Sequence, residues 1–379
     1  MKIDAFELER IQSMYENKVK YNLTETGIHP YTLKELVNND EIEELSGLRL
    51  SYGQTNGDPE LREVIAQLYP GADANNILVT NGTAEANFIV VWSLLEPGDE
   101  LVLMLPNSMQ IWGLARSIGT QVKPFHLIEE IKWGPSIEQL KKQVTPKTKI
   151  IAVCNPNHPT GAVLSEMEMR WLFKIAEQVG AWIYADELYR GTEVDGHETP
   201  SFYGYSDYKK IIASGGLSKA YGIPGIRIGW LVGPFDIIAK GWGYHDYTTI
   251  STSILSQWLA RRILQPEMRE KILNHNRKML KENLKILCQW LDKHNGIFEL
   301  IPPRAGAMAF IKHNLAIKSR EFATRLRVEM DVLIIDGDCF GMENYLSIGF
   351  GAEREYLKAG LARIDEFLHA ITLTGNKTP

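Results

Sequence analysis

The chain has 379 residues, 44% of them hydrophobic, a length that suits one large domain and a smaller one. Its formal net charge is −6 and it has no block of basic residues, which argues against nucleic acid as a partner. The charged N-terminus lacks the apolar core of a secretory signal, and the longest apolar stretch, residues 88–95, is too short to cross a membrane. Three widely spaced cysteines predict a reducing, cytoplasmic compartment, and the nine histidines form no pattern that indicates a metal site.

The first 70 residues predict short helices joined by loops. Apolar residues at helical spacing favour a helix within residues 4–20, and an extended segment then runs to Gly27. A second helix is expected over residues 32–45. Asp58 and Pro59 are typical of the N-cap and first turn of a helix that ends near residue 69.

From residue 76 onward, short apolar strands alternate with helices. Strands are expected at 77–80, 100–105, 122–127, 149–154, 182–185, 210–213 and 226–232, and helices at 84–95, 109–118, 137–144 and 166–179. This alternation predicts an α/β fold, with a mostly parallel sheet covered by helices on both faces. Ligands of such sheets bind at the carboxyl ends of the strands, where Gly82, Asn155, Asp186 and Lys219 fall.

The last third of the chain predicts a smaller α+β domain. Residues 258–295 are amphipathic and interrupted only by Pro266, and the tail combines strands at 308–311, 332–335 and 345–348 with two helices. We therefore expect three parts: an N-terminal segment, residues 1–45, that packs with the small domain; a large cofactor-binding domain, residues 46–270; and a small C-terminal domain, residues 271–379.

The most informative stretch lies between the strands at 210–213 and 226–232. It combines small residues with Lys219 and, eight positions later, Arg227. Small residues let the backbone approach a ligand closely. A lysine among apolar neighbours offers a neutral amine to carbonyl compounds, and an arginine can hold a phosphate through two hydrogen bonds. The stretch favours a cofactor with both an aldehyde and a phosphate, such as pyridoxal 5'-phosphate (PLP), although a solvent-facing lysine at a corner between strands would also fit it.

Further motifs follow in a consistent order, namely Asn81-Gly82-Thr83-Ala84, His158-Pro159-Thr160-Gly161 and Ala185-Asp186-Glu187-Leu188-Tyr189. With them, the chain from residue 22 to 368 resembles the PLP-dependent class I/II aminotransferases of the aspartate aminotransferase fold, also called fold type I. The resemblance implies that Lys219 holds PLP as a Schiff base (aldimine) and moves the α-proton of the substrate. It also implies that Asp186 pairs with the pyridinium nitrogen and that Tyr189 bonds the phenolic oxygen of the cofactor.

The resemblance implies further cofactor and substrate contacts. The residues that it places around PLP are Gly82, Thr83, Ala84, Asn155, His158, Ser218, Arg227 and Tyr52. The family's equivalent of Tyr52 reaches the phosphate site of the neighbouring subunit, so a homodimer with shared active sites is expected. Gly27 lies where, in the family, the N-terminal segment closes over the substrate. The resemblance also implies that the substrates are small amines and keto or aldehyde acceptors.

Three positions depart from the family's pattern. His158 stands where an asparagine donates to the phenolic oxygen of PLP, and Asn155 or Asn157 could replace it. Ser108 stands where an aromatic ring stacks on the cofactor. Ser347 stands where an arginine binds the α-carboxylate of the substrate, a role that Arg304 or Arg190 could take over. The cofactor-binding half of the site therefore matches the family, whereas the substrate-binding half is altered.

The leading hypothesis is an aminotransferase, which moves an amino group from an amino-acid-like donor to a keto or aldehyde acceptor. Two alternatives are other PLP reactions on the same fold, namely C–S β-elimination and an elimination with cyclisation like that of capreomycidine synthase. A PLP-binding regulator or non-catalytic relative is a third alternative. Because Lys219, Asp186, Tyr189 and Arg227 are all present, the sequence favours an enzyme.

Overall fold

The computed structural model describes residues 3–375. The N-terminal segment contains α1 (Glu7–Tyr15), β1 (Tyr21–Asn22), α2 (Leu33–Leu36) and α3 (Asn39–Ser46). The single helix expected over residues 32–45 is therefore two helices. Val37 between them is extended, and the Asn38 side chain accepts a hydrogen bond from the Glu41 N–H at 3.0 Å. Asparagine is a better N-cap than an interior helix residue, which explains why a new helix begins here.

The large sheet and its covering helices form the middle of the chain. They are α4 (Pro59–Ala66), β2 (Ile77–Thr80), α5 (Thr83–Leu94), β3 (Glu100–Leu105), α6 (Gln110–Ser117), β4 (Gln121–Ile128), β5 (Gly134–Pro135), α7 (Ile137–Gln143), β6 (Thr148–Cys154), α8 (Glu166–Val179), β7 (Trp182–Asp186), β8 (Ile211–Gly216), β9 (Gly229–Val232), α9 (Phe235–His245), α10 (Ile254–Ile263) and α11 (Pro266–Asp292). The sequence pattern did not predict α9, because two interior glycines weaken its helix propensity. One of them, Gly241, lies against α5, where a Cβ would come within 3.0 Å of Ile89.

Within the described residues, the large sheet has eight strands in the order β2-β9-β8-β7-β6-β3-β4-β5. The pairs β3·β4, β3·β6, β6·β7 and β7·β8 are parallel, whereas β9 runs antiparallel to both of its neighbours. Alternate residues of β3 enter two different apolar clusters: Val102 and Met104 pack on one face, and Leu101 and Leu103 on the other. The prediction of a mostly parallel sheet that is buried on both faces is confirmed.

A smaller antiparallel sheet forms the C-terminal part. The elements of this part of the chain are β10 (Phe298–Glu299), β11 (Met308–His313), α12 (Ser319–Met330), β12 (Val332–Leu333), β13 (Ile335–Asp336), β14 (Tyr345–Gly349) and α13 (Arg354–Gly375), and the antiparallel sheet has the strand order β10-β11-β14-β13. The strand expected over 332–335 divides between two sheets, because β12 pairs in parallel with β1 while β13 pairs with β14. The domain boundary placed after residue 270 falls inside α11, and the three-part division remains a prediction. No helix in the described part of the chain is long and apolar enough to cross a membrane.

Candidate active site

A cavity of about 380 Å³ lies at the carboxyl ends of the central strands. Most of the residues singled out in the sequence line it: Thr83, Ala84, His158, Asp186, Tyr189, Ser218, Lys219, Arg227 and Ser347. Gly27, Gly82 and Asn155 are not part of this lining but contact Lys219, Arg227 and Asp186 within it, whereas Tyr52 and Arg304 do not line the cavity. The walls also include residues of α1, β13 and β14, so the cavity is enclosed by the N-terminal segment and by both sheets.

Lys219 follows β8 and reaches into the cavity. Its Nζ donates a hydrogen bond to Oε1 of Glu25 at 2.8 Å, and the same oxygen accepts the Gly27 N–H at 2.8 Å. Gly27 is packed so closely that a Cβ there would come within 3.2 Å of the Lys219 side chain. Burial acts to raise the pKa of Glu25, but the Lys219 ammonium and the N–H groups of Gly27 and Thr26 outweigh it, so the pKa is lowered.

Asp186 ends β7 and lines the floor of the cavity. Its Oδ1 accepts hydrogen bonds from the Leu188 N–H at 3.2 Å and from the Ser214 hydroxyl at 3.4 Å. Burial raises the pKa of Asp186, since no basic side chain within residues 3–375 forms an ion pair with it. A buried carboxylate without a cation is costly, and a cationic ring nitrogen in the cavity would relieve that cost.

A polar chain that the motifs did not predict supports Asp186 from below. The Tyr184 hydroxyl contacts Oδ1 of Asn87 and lies 2.9 Å from the hydroxyl of Ser214, which in turn bonds Asp186. The Asn87 amide donates to Gln110 at 2.8 Å, which ties the chain to α6. These residues come from four elements, so only the folded sheet brings them together.

The N-terminus of α5 is a candidate anion site. This helix begins after Gly82 without a side-chain cap, so its first N–H groups and the positive end of its dipole face the cavity. Arg227 approaches the same point: a Cβ at Gly82 would lie 2.2 Å from its guanidinium. The guanidinium also lies 3.5 Å from the Ser218 hydroxyl. The φ of Gly82, 78°, is one that residues with a Cβ rarely adopt, so a glycine favours this approach.

His158 and Asn155 present unpaired polar atoms to the interior. The imidazole is 4% exposed and stacks parallel to Tyr189 at 5.6 Å between ring centroids, with the edge of Phe340 against it. Neither imidazole nitrogen of His158 nor Nδ2 of Asn155 has a hydrogen-bond partner among the residues described. Burial, together with the positive charge of Lys219, lowers the pKa of His158 to about 3, so the ring is neutral. Buried polar atoms of this kind indicate that a ligand is held here.

The two asparagines near His158 differ in their freedom. Both ends of the Asn157 side chain are engaged, since Nδ2 donates to the Pro106 carbonyl at 3.1 Å and Oδ1 accepts from Thr160. Only one end of Asn155 is engaged, by the Leu164 N–H at 2.9 Å. Asn155 is therefore the one that can donate to a ligand. The Tyr189 hydroxyl, beside the His158 ring, lies 2.8 Å from the hydroxyl of Thr26.

Among the described residues, no arginine lies at Ser347, on the substrate side of the cavity. Ser347 in β14 is 3% exposed, lines the cavity and is paired in register with Phe310 and Ile335. Arg304 is exposed and donates to the Val163 carbonyl at 3.3 Å. The structure therefore does not bring Arg304 to this side.

Arg190 is also committed elsewhere. Its guanidinium is held by Glu187 at 3.2 Å, by Glu198 at 3.0 Å and by the Leu68 carbonyl at 3.0 Å. Neither of the two arginines considered as substitutes for the missing carboxylate clamp reaches Ser347. Ser108, at the position of the missing aromatic ring, does line the cavity, and its N–H donates to the Asn107 side chain at 2.6 Å.

Tyr52 lies outside the cavity of its own chain. Its side chain is 79% exposed, on a loop before α4. The loop is anchored to α9 and α10, because Trp242 donates to the Thr55 hydroxyl at 2.8 Å and Gln257 accepts the Asp58 N–H at 2.6 Å. An exposed tyrosine on a fixed loop is available to another molecule.

Comparison with known proteins identifies the family. The chain belongs to the class I and II aminotransferases, whose family model matches residues 22–364. It is 28% identical over 355 residues to a capreomycidine synthase of Streptomyces vinaceus, an alignment that covers 93% of this chain and 90% of that protein. It is 27% identical to an aspartate aminotransferase of Streptomyces avermitilis, with 84% and 81% covered. A PLP-dependent aminotransferase from Streptococcus suis has a similar structure, with a TM-score of 0.91, 34% identity, and 98% and 99% of the two chains covered.

The chain is thus a PLP-dependent enzyme of this family, and the cavity fits the cofactor. A phosphate suits the uncapped end of α5 beside Arg227, and a protonated ring nitrogen suits the buried carboxylate of Asp186. The unpaired nitrogens of His158 and Asn155 are free to contact polar groups of the same ligand. The expectations on fold, family and cofactor are confirmed, while the role of each individual residue remains a prediction.

Proposed function

We propose that the protein is an aminotransferase that uses Lys219 to move an amino group from an amino-acid-like donor to a keto or aldehyde acceptor. The observation that carries the proposal is the convergence of a lysine amine, a buried unpaired carboxylate and an anion site in one cavity of about 380 Å³. When bound, PLP supplies the aldehyde and the electron-accepting ring.

Each residue then has a definite task. Arg227, Ser218 and the N–H groups of Thr83 and Ala84 would hold the phosphate by charge-assisted hydrogen bonds. Asp186 keeps a proton on the ring nitrogen, and the chain through Ser214 to Tyr184 holds its carboxylate in place. Lys219 Nζ would remove the α-proton of the substrate and then, as an acid, deliver it to the carbon on the other side of the reacting nitrogen.

The groups around the phenolic oxygen of the cofactor orient it. Tyr189 and Asn155 are hydrogen-bond donors, whereas His158 is a neutral ring that can donate from one nitrogen only. Gly27 lets the N-terminal segment lie directly against Lys219 and thereby excludes water.

We further propose a homodimer in which Tyr52 serves the phosphate site of the partner. This would explain why its side chain is exposed on an anchored loop. The exposed Tyr247 and Ile250, which follow α9, are further apolar groups that a partner subunit could cover. The free thiols of all three cysteines support a cytoplasmic location.

The second candidate is a PLP-dependent elimination followed by cyclisation. It is favoured by the 28% identity to a capreomycidine synthase and by the altered substrate side around Ser347. C–S β-elimination is a third possibility that uses the same proton removal at the substrate α-carbon.

One experiment separates these reactions. The holoenzyme is mixed with a panel of amines and amino acids, while the cofactor spectrum and the products are followed. Conversion to the pyridoxamine form, with recovery on addition of a keto acid, supports transamination. Release of ammonia and pyruvate from cysteine conjugates supports β-elimination, and a cyclic product without the pyridoxamine form supports cyclisation. A protein that changes neither spectrum nor substrate would contradict all three.

A further inference from the structure

With the function proposed above, on which this inference rests, most charged groups of the cavity already have a partner. The cationic side chains that line it, among residues 3–375, are Lys219 and Arg227. Lys219 is committed to the aldehyde of the cofactor and Arg227 to its phosphate, while Asp186 is committed to the ring nitrogen. No cation is left for a substrate carboxylate.

An acidic residue, Glu9, faces the same space. It lies on α1, is accessible to solvent, lines the cavity and has no hydrogen-bond or ion-pair partner among the described residues. Its helix is tied to the cavity wall, because Gln12 donates to the carbonyl and the hydroxyl of Thr24 at 3.1 Å each. Partial burial raises the pKa of Glu9 and the nearby Lys219 opposes this, so a carboxylate here gains from a cationic partner.

A second carboxylate adds to this charge. Glu25 contacts the cavity lysine at 2.8 Å and otherwise accepts hydrogen bonds from the backbone N–H groups of Gly27 and Thr26. When Lys219 is bound to the cofactor, its ammonium no longer neutralises Glu25. Glu25 does not line the cavity itself, but its charge acts on Glu9, and among the described residues no arginine besides Arg227 lines this cavity.

The rest of the lining points to the shape of the ligand. The Ser347 side chain is buried and lines the cavity, yet its hydroxyl has no hydrogen-bond partner in the described part of the chain. Phe6, Leu8 and Phe340 form an apolar part of the same wall. Apolar walls beside a carboxylate suit a methylene stem with a charged end.

We propose that the substrate carries, besides its reacting amine, a second cationic group on a short apolar stem, and that Glu9 binds this group. Amines and amino acids that end in an ammonium or a guanidinium form this class. A charge-assisted hydrogen bond to Glu9 favours them, whereas Glu9 would repel an anionic end.

Binding can be measured apart from turnover. In the Lys219→Ala protein reconstituted with PLP, an added amine condenses with the cofactor, and the absorbance change reports a dissociation constant. The probes are matched pairs that differ in their terminal group: L-lysine with L-norleucine, and 1,5-diaminopentane with pentylamine. L-glutamate provides an anionic end.

We expect each cationic probe to bind about ten-fold or more tightly than its neutral match, and L-glutamate to bind most weakly. Glu9→Gln should reduce the preference to within about two-fold. The control is Glu16→Gln, which removes the same charge from the end of the same helix but outside the cavity lining, and it should keep the preference.

Equal affinity within each pair, or a preference that survives Glu9→Gln, would overturn the inference. Melting temperatures of the variants check that each one folds. The proposed function can fail separately: it fails if the wild-type holoenzyme never reaches the pyridoxamine form, whatever the charge preference of the Lys219→Ala protein.

Discussion

The ammonium of Lys219 is paired with the carboxylate of Glu25, a residue 194 positions away, at 2.8 Å. The pair joins the N-terminal segment to the loop after β8, at the point where the cofactor must bind. The Lys219 amine cannot keep its ion pair with Glu25 and also bind the cofactor, so the lysine has to leave Glu25 when it reacts. Glu25 thus positions the Lys219 side chain in the cavity.

Glu25→Gln should reduce the free energy of unfolding of the cofactor-free protein by about 1 kcal/mol at pH 7, a modest value because the Glu25 side chain is 40% exposed and therefore screened by solvent. The pKa of Glu25 is lowered in the folded state. The stabilisation by Glu25 is therefore fully present at a pH above the usual pKa of 4.5, and it disappears as the pH falls through the pKa of the folded protein. Urea unfolding at several pH values measures the difference. Glu16→Gln is the control, and a gap between wild type and Glu25→Gln that does not close in acid would contradict the assignment.

Asp186→Asn should affect stability and activity in opposite directions. Burial raises the pKa of Asp186. At a pH above the usual pKa of 3.8, the carboxylate therefore lowers the free energy of unfolding of the cofactor-free protein, and removing it should stabilise the protein at neutral pH. In the holoenzyme the same change removes the partner of the ring nitrogen, which should cost about 3–5 kcal/mol and lower kcat by at least a hundred-fold.

Urea unfolding of the cofactor-free protein and turnover of the holoenzyme are the two measurements for Asp186→Asn. The control is Asp195→Asn, at an exposed carboxylate. A variant that keeps most of its kcat would show that Asp186 does not support the ring. A large loss of stability without cofactor would show instead that its role is structural.

Much of the site could be predicted because its residues follow apolar strands. Asp186 closes β7 and Lys219 follows β8, and the carboxyl ends of neighbouring parallel strands must meet at one edge of the sheet. The positions of the strands were predicted for the same reason, since their buried runs are apolar and bounded by turns.

The remaining features depend on contacts that the local sequence does not encode. Glu9 and Glu25 lie in a segment without a motif, and only tertiary packing brings them to the cavity. The division of residues 332–335 between two sheets likewise depends on β1, which pairs with Val332 and Leu333. Asn38 did carry a local signal for the break between α2 and α3, as an N-cap residue inside an apparently continuous helical pattern.

His158→Asn, which restores the residue usual in the family, should make the protein more resistant to acid. The pKa of His158 falls from its usual 6.5 to about 3 in the cofactor-free protein, so the unfolded chain binds a proton that the folded chain rejects. Stability is therefore lost as the pH falls from 6.5 towards 3, by several kcal/mol in total.

The measurement for His158→Asn is the free energy of unfolding of both cofactor-free proteins between pH 7 and about pH 4. We expect the wild-type value to fall more steeply than that of the variant. His197→Asn is a control at an exposed histidine in the loop before Thr199. Parallel curves would mean that His158 is not kept neutral by its surroundings.

Mixed dimers test whether Tyr52 serves the partner subunit. If it does, a Tyr52→Phe chain paired with a Lys219→Ala chain contains one site with both native residues, and that site should bind PLP and turn over like the wild type. The Tyr52→Phe homodimer should bind PLP about five- to ten-fold more weakly, because one hydrogen bond to the phosphate is missing.

The matched control for Tyr52 places both substitutions on one chain and pairs it with a wild-type chain. The only site with Lys219 then lies on the wild-type chain, and its partner supplies phenylalanine, without a hydroxyl, at position 52. This site should show the weaker affinity for PLP. The opposite order of the two mixed dimers would indicate that Tyr52 acts within its own chain, and an active monomer would exclude sharing altogether.

Ser347→Arg should convert the substrate side towards carboxylate recognition. Ser347 is buried against the cavity with no basic partner among the described residues, whereas an arginine would offer two parallel hydrogen bonds to a carboxylate. Such a charge-assisted pair is worth roughly 1.5–3 kcal/mol, or about ten- to a hundred-fold in affinity. We expect the wild type to react poorly with L-glutamate, L-aspartate and L-alanine, and the variant to improve with at least one of them.

Size and charge must be separated in this last comparison, because arginine also fills part of a cavity of about 380 Å³. Ser347→Gln adds a long polar side chain without charge, so it should reproduce any steric loss but none of the gain. The dissociation constants come from the rate of cofactor conversion at increasing substrate concentration, and melting temperatures check both variants. Rapid conversion of the wild-type cofactor by L-glutamate at millimolar affinity would show that another group binds the carboxylate. Equal gains in the arginine and glutamine variants would show that volume, and not charge, limits the native site.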